Sequence, residues 1–239
     1  MSYKKNLPFQ PINLPNNKED RMPQPLTNTI LMRFLKSKHI DSGFMDSLKL
    51  HYRPLICPYI SLIGKVAPGE KVGDLGCGSG QFLLLLSEFA EPSLLYGIEI
   101  TEKLVQNSRH LLADRKHPDT ILLEIYDGVH FPARLADLDT IFLIDVLHHI
   151  PAARQESFLT NLAGAMRRGA RLVIKDINAG NPLVIFNKLH DMVVSREIGH
   201  ELPIDKVTAI LGNSGLDIIE IEKCTTYVYP HYTVIAKKP

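Results

Sequence analysis

The chain has few cysteines, the residues that cross-link small secreted domains and hold structural metals. It has no tryptophan and only three cysteines, Cys57, Cys77 and Cys224, which are far apart and form no Cys-x-x-Cys pair. The sequence therefore predicts neither a disulfide framework nor a structural zinc site. Three reduced thiols are typical of a cytoplasmic protein, and this is the location that we expect.

The chain also lacks an excess of one charge and a long apolar run. It has 27 lysines and arginines against 26 aspartates and glutamates, a formal net charge of +1. Proteins that neutralise nucleic-acid phosphates usually carry a basic surplus, so no nucleic-acid partner is expected. No apolar stretch approaches the ~20 residues that cross a bilayer. Lys4 and Lys5 are not followed by the apolar core of a secretory signal.

The first 66 residues divide into two parts of different composition. Prolines at positions 8, 11, 15, 23 and 25 stand among polar residues, which predicts an extended or disordered arm over 1–25. From 26 to 66, apolar residues recur at helical spacing, and Pro54 and Pro58 are expected to kink or break the second of two helices. These helices form a predicted cap on the domain that follows.

Residues 67–239 show short β-like runs that alternate with amphipathic segments, a rhythm typical of α/β proteins with a parallel sheet. Strands are predicted at 71–75, 94–99, 120–126, 139–146, 170–176, 216–224 and 231–237, and helices at about 80–90, 101–116, 152–167, 182–196 and 203–213. The link over 225–230 is a hairpin connection, so the last strand should run antiparallel. The predicted fold is a Rossmann-like, mostly parallel seven-stranded sheet with an antiparallel last strand, helices on both faces and an N-terminal helical cap.

The segment most informative about chemistry runs from Asp74 to Gly80. Asp74 lies near the end of a predicted buried strand. Glycines follow at 76, 78 and 80, directly before an apolar helix. Glycine allows positive φ and has no Cβ, so a ligand can lie against the backbone of such a turn. The alternative is a tight turn between strand and helix that binds nothing.

Two classes of ligand fit a glycine-rich turn of this kind. A dinucleotide-binding turn needs G-x-G-x-x-G, but the sixth position counted from Gly76 is Gln81. The negative charge of Asp74 opposes a pyrophosphate and suits the ammonium group of an amino-acid ligand. A cationic, zwitterionic cofactor is therefore favoured over a dinucleotide.

This turn resembles the first motif of class I S-adenosylmethionine-dependent methyltransferases, commonly written D-x-G-x-G-x-G, and the resemblance extends from Lys71 to the C-terminus. Gly73 departs from the pattern, since the family usually has a large aliphatic residue there. We expect that departure to weaken local packing rather than binding. The resemblance implies S-adenosylmethionine as cofactor, bound at this turn by Asp74, Gly76, Cys77, Gly78 and Gly80.

The resemblance also implies roles for acidic residues that end later strands. Glu99, followed by Ile100, is expected to hold the ribose hydroxyls, or else is an ordinary charge at a helix start. Asp127 with Gly128 is expected near the adenine amino group, and the alternative is a simple turn. Asp145 lies at the end of the fourth predicted strand, where it is expected to contact the methionine part or the substrate.

A general base is needed only when the methyl acceptor is protonated at neutral pH, and histidine is the usual agent. The candidates are His148, His149 and His190. Tyr52 and Arg53 are expected near the carboxylate of the cofactor, or else form a polar patch on a helix. An apolar insert over 178–203 is expected to form a lid together with the capping helices.

A metal is not expected at this site. Some members of the family hold a divalent metal with an acid after the fourth strand and an adjacent Asp-Asn pair after the fifth. Here Ile177 separates Asp176 from Asn178. Because neighbouring side chains of a strand point to opposite faces, the spacing does not reproduce that site.

The sequence thus predicts a methyltransferase that acts on a small apolar or aromatic acceptor, through oxygen. Three alternatives stay open: a methyltransferase of protein substrates, a nucleotide-dependent oxidoreductase on a Rossmann-like sheet, and a non-catalytic cofactor-binding partner subunit. The identity of the acceptor and the formation of a homodimer are not determined by these patterns.

Overall fold

The computed structural model describes residues 25–38, 53–113, 120–179, 199–226 and 229–239. Most of the predicted arm over 1–25 lies outside these residues, as do Tyr52, His190 and most of the predicted insert over 178–203. The division of the chain into an arm, a helical cap and an α/β domain with a lid therefore stays a prediction.

Seven strands form a single sheet. They are β1 (Lys71–Leu75), β2 (Leu94–Glu99), β3 (Ile121–Ile125), β4 (Thr140–Ile144), β5 (Arg171–Ile177), β6 (Asp217–Thr226) and β7 (Tyr229–Lys237). Their order across the sheet is β3-β2-β1-β4-β5-β7-β6. The strands β1 to β5 pair in parallel, while β7 runs antiparallel to both β5 and β6. The predicted mostly parallel sheet with an antiparallel last strand is confirmed.

The central strands are buried along nearly their whole length. Every residue of β4 is buried, as is every residue of β1 after Lys71. Strands of a parallel sheet that is covered on both faces read as continuous apolar runs, which explains why the sequence pattern does not alternate there. Since β1 lies between β2 and β4, the carboxyl ends of these three strands meet at one edge of the sheet.

The last two strands are longer than the sequence predicts. Part of the predicted link over 225–230 is strand, because Thr225 pairs with Pro230 and Thr226 with Tyr229. An antiparallel hairpin can close with a short turn, so the ladder continues into the predicted link.

Helices flank the sheet and precede it. They are α1 (Asn28–Lys36), α2 (Tyr59–Ile63), α3 (Gln81–Phe89), α4 (Glu102–Leu112), α5 (Ala152–Ala165) and α6 (Ile204–Asn213). Pro58 directly precedes α2, and the backbone at Cys57 and Pro58 is not helical, so the predicted break is confirmed. The helix α5 ends earlier than predicted because Met166 has an extended backbone.

The helices cover both faces of the sheet, as predicted. One hydrophobic cluster joins the sheet to α5 and α6 and includes Leu159, Leu162 and Val207. The other joins the sheet to α1, α2 and α3 and includes Leu35 and Leu62. None of the described helices combines the length and the apolarity that crossing a membrane requires.

The helix α3 connects the cap to the domain. Its residues 81–86 are all buried, because α3 lies between the sheet and the capping helices. The ring of Tyr59 stacks on Phe82 at a centroid distance of 5.6 Å, and Phe34 meets Phe89 edge-on at 5.2 Å. The capping helices are therefore fixed next to the glycine turn that begins α3.

Candidate active site

The turn after β1 has the left-handed backbone that its glycines allow. Gly76, Gly78 and Gly80 have φ values of +79°, +54° and +80°. A Cβ on Gly76 would lie 2.5 Å from Cγ2 of Val146, and one on Gly80 would lie 2.8 Å from Oγ of Ser108. A Cβ on Gly78 would meet no atom within 4 Å. The packing of the turn thus requires two of the glycines, and the third lies beside open space.

Glu99 ties this turn to the beginning of α4. One of its carboxylate oxygens accepts a hydrogen bond from the Gly78 N–H at 3.0 Å, and the other accepts one from the Thr101 N–H at 3.0 Å. The hydroxyl of Ser108 donates to the Gly78 carbonyl at 2.9 Å. An ionised carboxylate has about four acceptor positions, so Glu99 can still accept hydrogen bonds from a ligand.

Asp74 lies in β1 and is buried, with 3% of its surface exposed. Burial raises the pKa of this carboxyl to about 7, since the lowering effect of Arg53 is weaker and Glu99 adds to the rise. A cationic ligand group placed beside Asp74 would favour its ionised form. The carboxyl therefore fits the ammonium partner that the sequence predicts for it.

A cavity of about 1020 Å³ opens at the carboxyl ends of β1 to β4. Predicted residues that line the cavity are Gly76, Glu99, Ile100, Gly128, Asp145 and His149. The remaining residues of the motif, Asp74, Cys77, Gly78 and Gly80, belong to β1 and to the turn that follows it, and they do not line the cavity. The structure thus brings the predicted cofactor residues of β1, β2 and β4 together.

Asp145 forms ion pairs with two cationic side chains. Its carboxylate accepts a hydrogen bond from Nζ of Lys175 at 2.5 Å and another from Nη2 of Arg53 at 3.1 Å. Burial opposes its ionisation, but Lys175 and Arg53 outweigh burial and hold the pKa of Asp145 well below its ordinary value. Asp145 has a φ of +55°, the one positive value at a non-glycine residue in the described ranges. Such a backbone costs about 1–3 kcal/mol and is found most often at functional sites.

Lys175 is a site residue that the sequence reasoning missed. Its side chain is buried in β5 with 1% exposure, and the Asp145 carboxylate raises its pKa although burial lowers it. A lysine within an apolar strand such as Leu172 to Ile177 was the available signal, because lysine is almost never fully buried unless it is paired.

His148 and Asp176 form a second buried pair. Nδ1 of His148 lies 2.5 Å from Oδ1 of Asp176, and the His148 N–H donates to the other carboxylate oxygen at 3.2 Å. The ring of His149 lies 4.1 Å from that of His148, and His149 rather than His148 lines the cavity. The pairing of Asp176 with a histidine was not predicted, because it depends on the registry of β4 and β5.

The short turn that carries both histidines, Leu147–His149, is held by Gln155 of α5. The buried amide of Gln155 donates to the Leu147 carbonyl at 3.0 Å and to the His200 carbonyl at 2.7 Å. The His200 N–H in turn donates to the His148 carbonyl at 2.7 Å. The end of the predicted insert is therefore joined directly to the histidine turn.

The carboxylate of Asp127 bonds to its own turn, and Asp127 does not line the cavity. Its carboxylate accepts hydrogen bonds from the N–H groups of Val129 and His130, both at 2.7 Å, and contacts Nδ1 of His130 at 2.8 Å. These bonds, of which that from the His130 N–H counts most, lower the pKa of Asp127 to about 2. The carboxylate stabilises its own turn, and its contact with adenine stays a prediction.

Within the described residues, no group of three histidine, cysteine, aspartate or glutamate side chains could hold a metal ion. The two acids at the positions of such a site have other partners. Asp145 pairs with Lys175, and Asp176 pairs with His148. Tyr52 and His190 lie outside the described residues.

A parallel sheet of this order, with a glycine turn after β1 and an acid at the end of β2, defines a Rossmann-like protein that binds a ligand at the carboxyl ends of its strands. Residues 67–210 match the model of the methyltransferase domain family. The chain belongs to this family.

Curated relatives include two bacterial enzymes. The chain is 25% identical over 175 residues to 27-O-demethylrifamycin SV methyltransferase of Amycolatopsis mediterranei, with 71% of this chain and 62% of the relative covered. It is 28% identical over 173 residues to magnesium-protoporphyrin O-methyltransferase of Synechocystis, with 68% of this chain and 69% of the relative covered. The chain thus spans about 62% of the length of the rifamycin relative.

A solved structure shares the fold. The crystal structure of magnesium protoporphyrin IX methyltransferase from Synechocystis with bound SAH matches with a TM-score of 0.62 at 21% identity. The match covers 90% of this chain and 96% of that chain. The predicted Rossmann-like methyltransferase fold is confirmed.

Proposed function

We propose that this chain is an S-adenosylmethionine-dependent methyltransferase that methylates an oxygen of a small apolar or aromatic molecule. The observation that carries the proposal is that Gly76 of the glycine turn and Glu99 line one cavity, with the buried Asp74 in the strand that leads into this turn. The names of the rifamycin and magnesium-protoporphyrin relatives support an oxygen acceptor on a small molecule.

The residues present fit the parts of S-adenosylmethionine. Asp74 is a buried carboxyl that a ligand ammonium would ionise, and Glu99 has acceptor positions left for ribose hydroxyls. Gly78 leaves open space beside the backbone for a close approach. Ile100, with 63% of its surface exposed, offers an apolar face for the adenine base.

We assign the cationic side chains of the site to the methionine end of the cofactor. Arg53 donates to Asp145 at 3.1 Å, and a guanidinium has further N–H donors for the carboxylate of the cofactor. Tyr52 is proposed to stand beside it. Asp145, held ionised by Lys175, is proposed to contact the methionine part or the acceptor.

S-Adenosylmethionine, when bound, supplies an electrophilic methyl group on its sulfonium. The chain must then orient the acceptor and, where the acceptor is protonated at neutral pH, remove its proton. Asp176 holds the Nδ1–H of His148, which leaves Nε2 as the basic nitrogen of this ring. We propose that the buried His148 takes the acceptor proton through His149, whose ring lies 4.1 Å away and which lines the cavity, and that His190 is a further candidate.

The acceptor end is proposed to lie beneath residues 26–66 and the insert over 178–203, which would exclude water from the reacting atoms. No nucleic-acid substrate is proposed, since the net charge of the chain is +1. The free thiols of Cys57, Cys77 and Cys224 favour the reducing environment of the cytoplasm.

Calorimetric titration with S-adenosylhomocysteine tests the cofactor site. Glu99→Ala should weaken binding by roughly 1–3 kcal/mol, the range for losing hydrogen bonds to a charged group. Glu124→Ala is the matched control, because this exposed carboxylate lies on the neighbouring strand β3 and accepts a hydrogen bond from Tyr96. Unchanged affinity in the Glu99 variant would contradict the proposed site.

A product-release assay tests the activity. The protein is incubated with S-adenosylmethionine and a panel of phenols, carboxylic acids and amines, and methylated species are identified by mass spectrometry. Methylated phenols or acids are expected. Cofactor binding without turnover on any acceptor, protein substrates included, would favour a non-catalytic subunit. Binding of NADH in place of S-adenosylhomocysteine would favour an oxidoreductase.

A further inference from the structure

The cavity extends beyond the residues that the proposed cofactor needs. One part is lined by Gly76, Glu99 and Ile100, and the other lies against the helix α5. The α5 residues that line it have the spacing i, i+3, i+4 and i+7, so one face of two helical turns, about 10 Å long, borders the cavity. We call this second part the aromatic groove; its lining residues are Tyr126, Phe131, Arg154, Ser157, Phe158 and Asn161.

Aromatic rings form the wall of this groove. Tyr126 and Phe131 are stacked at a centroid distance of 5.3 Å and an interplanar angle of 7°, and Phe158 meets Phe131 edge-on at 5.3 Å. Tyr126 is buried, whereas Phe131 and Phe158 are half-buried and present apolar surface to the groove. Planar aromatic groups favour stacked and edge-on contacts of this kind.

The proposed adenine site and the groove belong to one cavity. The residue predicted to meet the adenine amino group is Asp127, but its carboxylate is bound to the N–H groups of Val129 and His130. Ile100, Gly128 and Phe131 all line the same cavity. An adenine base seated on Ile100 would therefore share one cavity with the aromatic rings, and Gly128, predicted beside its amino group, lies three residues before Phe131 in the chain.

A cation lies at the rim of the groove. Arg154 is exposed, lines the cavity and makes no ion pair within the part of the chain that the structure describes. Asn161 and Ser157 add polar side chains along the same face of α5. The groove thus combines an apolar aromatic wall with a positively charged edge.

We propose that the aromatic groove binds a planar aromatic group attached to the exocyclic nitrogen of an adenosyl ligand, and that an acidic substituent on this group pairs with Arg154. The inference rests on the proposed function, because it takes the adenosyl site as given. Phe131 and Phe158 contact the aromatic ring, while Arg154 distinguishes anionic from neutral ligands.

The test is calorimetric titration of the full chain with S-adenosylhomocysteine and with its N6-benzyl and N6-(4-carboxybenzyl) derivatives. The N6-benzyl derivative should bind within about threefold of the parent compound, and the carboxybenzyl derivative at least about threefold more tightly than the benzyl one. Arg154→Met should remove the preference for the acid and keep the affinity for the benzyl derivative.

Two tryptophan substitutions on α5 test whether the benzyl group of the derivative binds in the aromatic groove. Asn161→Trp fills the groove and should weaken the N6-benzyl derivative by about tenfold or more while leaving S-adenosylhomocysteine unaffected. Glu156→Trp, on an exposed part of α5 that does not line the cavity, is the matched control and should change neither affinity.

The failures of the two proposals are distinguishable. If wild-type protein binds S-adenosylhomocysteine but binds the N6-benzyl derivative more than about thirtyfold less tightly, the groove is closed to such ligands and the inference is wrong. If S-adenosylhomocysteine itself does not bind, the proposed function is wrong, and the inference falls with it. This comparison uses only wild-type protein, so it holds even if a tryptophan variant does not fold.

Discussion

Nδ1 of His148 lies 2.5 Å from Oδ1 of Asp176, and both side chains are buried. The two residues are 28 positions apart in the chain and meet because β4 and β5 are neighbours in the sheet. The carboxylate accepts the Nδ1–H, which selects one tautomer and one orientation of the ring. Its charge also stabilises the imidazolium that forms when His148 takes a proton.

The substitution Asp176→Asn should lower kcat by about 10²-fold and leave the affinity for S-adenosylhomocysteine unchanged, because it removes the charge beside His148 but not the shape. Steady-state kinetics between pH 6 and 9, with the acceptor that the panel identifies, measure this effect. Asp217→Asn, at the exposed first residue of β6, is the control and should keep the wild-type rate. Equal loss of cofactor affinity and of turnover would assign Asp176 a structural role instead.

Cofactor affinity should depend on the ionisation of Asp74. Burial raises the pKa of this carboxyl to about 7, so it is largely protonated at pH 6 and ionised at pH 8. Only the ionised form pairs with a ligand ammonium, and affinity for S-adenosylhomocysteine should therefore fall about tenfold from pH 8 to pH 6. Titrations at both pH values, repeated with Asp74→Asn, measure this change. The variant should bind weakly at both pH values, and an equally steep profile in it would contradict the assignment.

Gly76 and Gly164 give a matched pair of alanine substitutions. Gly76→Ala places a Cβ 2.5 Å from Val146 at a φ of +79°, so the free energy of unfolding should fall by about 1–3 kcal/mol. Gly164 lies in α5 with no atom within 4 Å of its added Cβ, so Gly164→Ala should raise that free energy by roughly 0.5–1 kcal/mol. Urea denaturation measures both changes. Similar effects of the two substitutions would show that the turn tolerates a side chain.

His231 should make the protein less stable in mild acid. It is buried in β7 with 3% exposure, and neither ring nitrogen makes a hydrogen bond of good geometry to another described residue. Burial, assisted by the charge of Lys175, lowers its pKa to about 4. Between pH 6.5 and 4 the unfolded chain therefore binds this proton and the folded chain does not, so stability is lost as the pH falls through this window, with ~2 kcal/mol gone by pH 5.

The variant His231→Leu should remove this part of the pH dependence. It should also be at least as stable as the wild type at pH 7, because a buried polar group without a well-formed hydrogen bond costs about 1–3 kcal/mol. Urea denaturation at pH 7 and pH 5 gives both quantities. A variant that loses as much stability as the wild type between these pH values would show that other groups cause the acid sensitivity.

The local sequence determined the sheet and the cofactor turn. The bounds of β1 and β2 follow from short apolar runs, and Asp74 to Gly80 indicate a ligand-binding turn through the conformational freedom of glycine. These are properties of neighbouring residues in one segment, so they can be read without knowing what the segment packs against. For the same reason the antiparallel last strand could be predicted from the short link before it.

Only the tertiary structure decided which charged side chains meet. The pairs Lys175–Asp145 and His148–Asp176 join residues at the ends of β4 and β5, and Arg53 reaches the same place from the capping segment. The hydrogen bonds that the Asp127 carboxylate accepts from its own turn were also decided by the tertiary structure. Contacts between distant segments depend on strand registry and on which donor and acceptor pair in the folded chain. The order of residue types along the chain specifies neither.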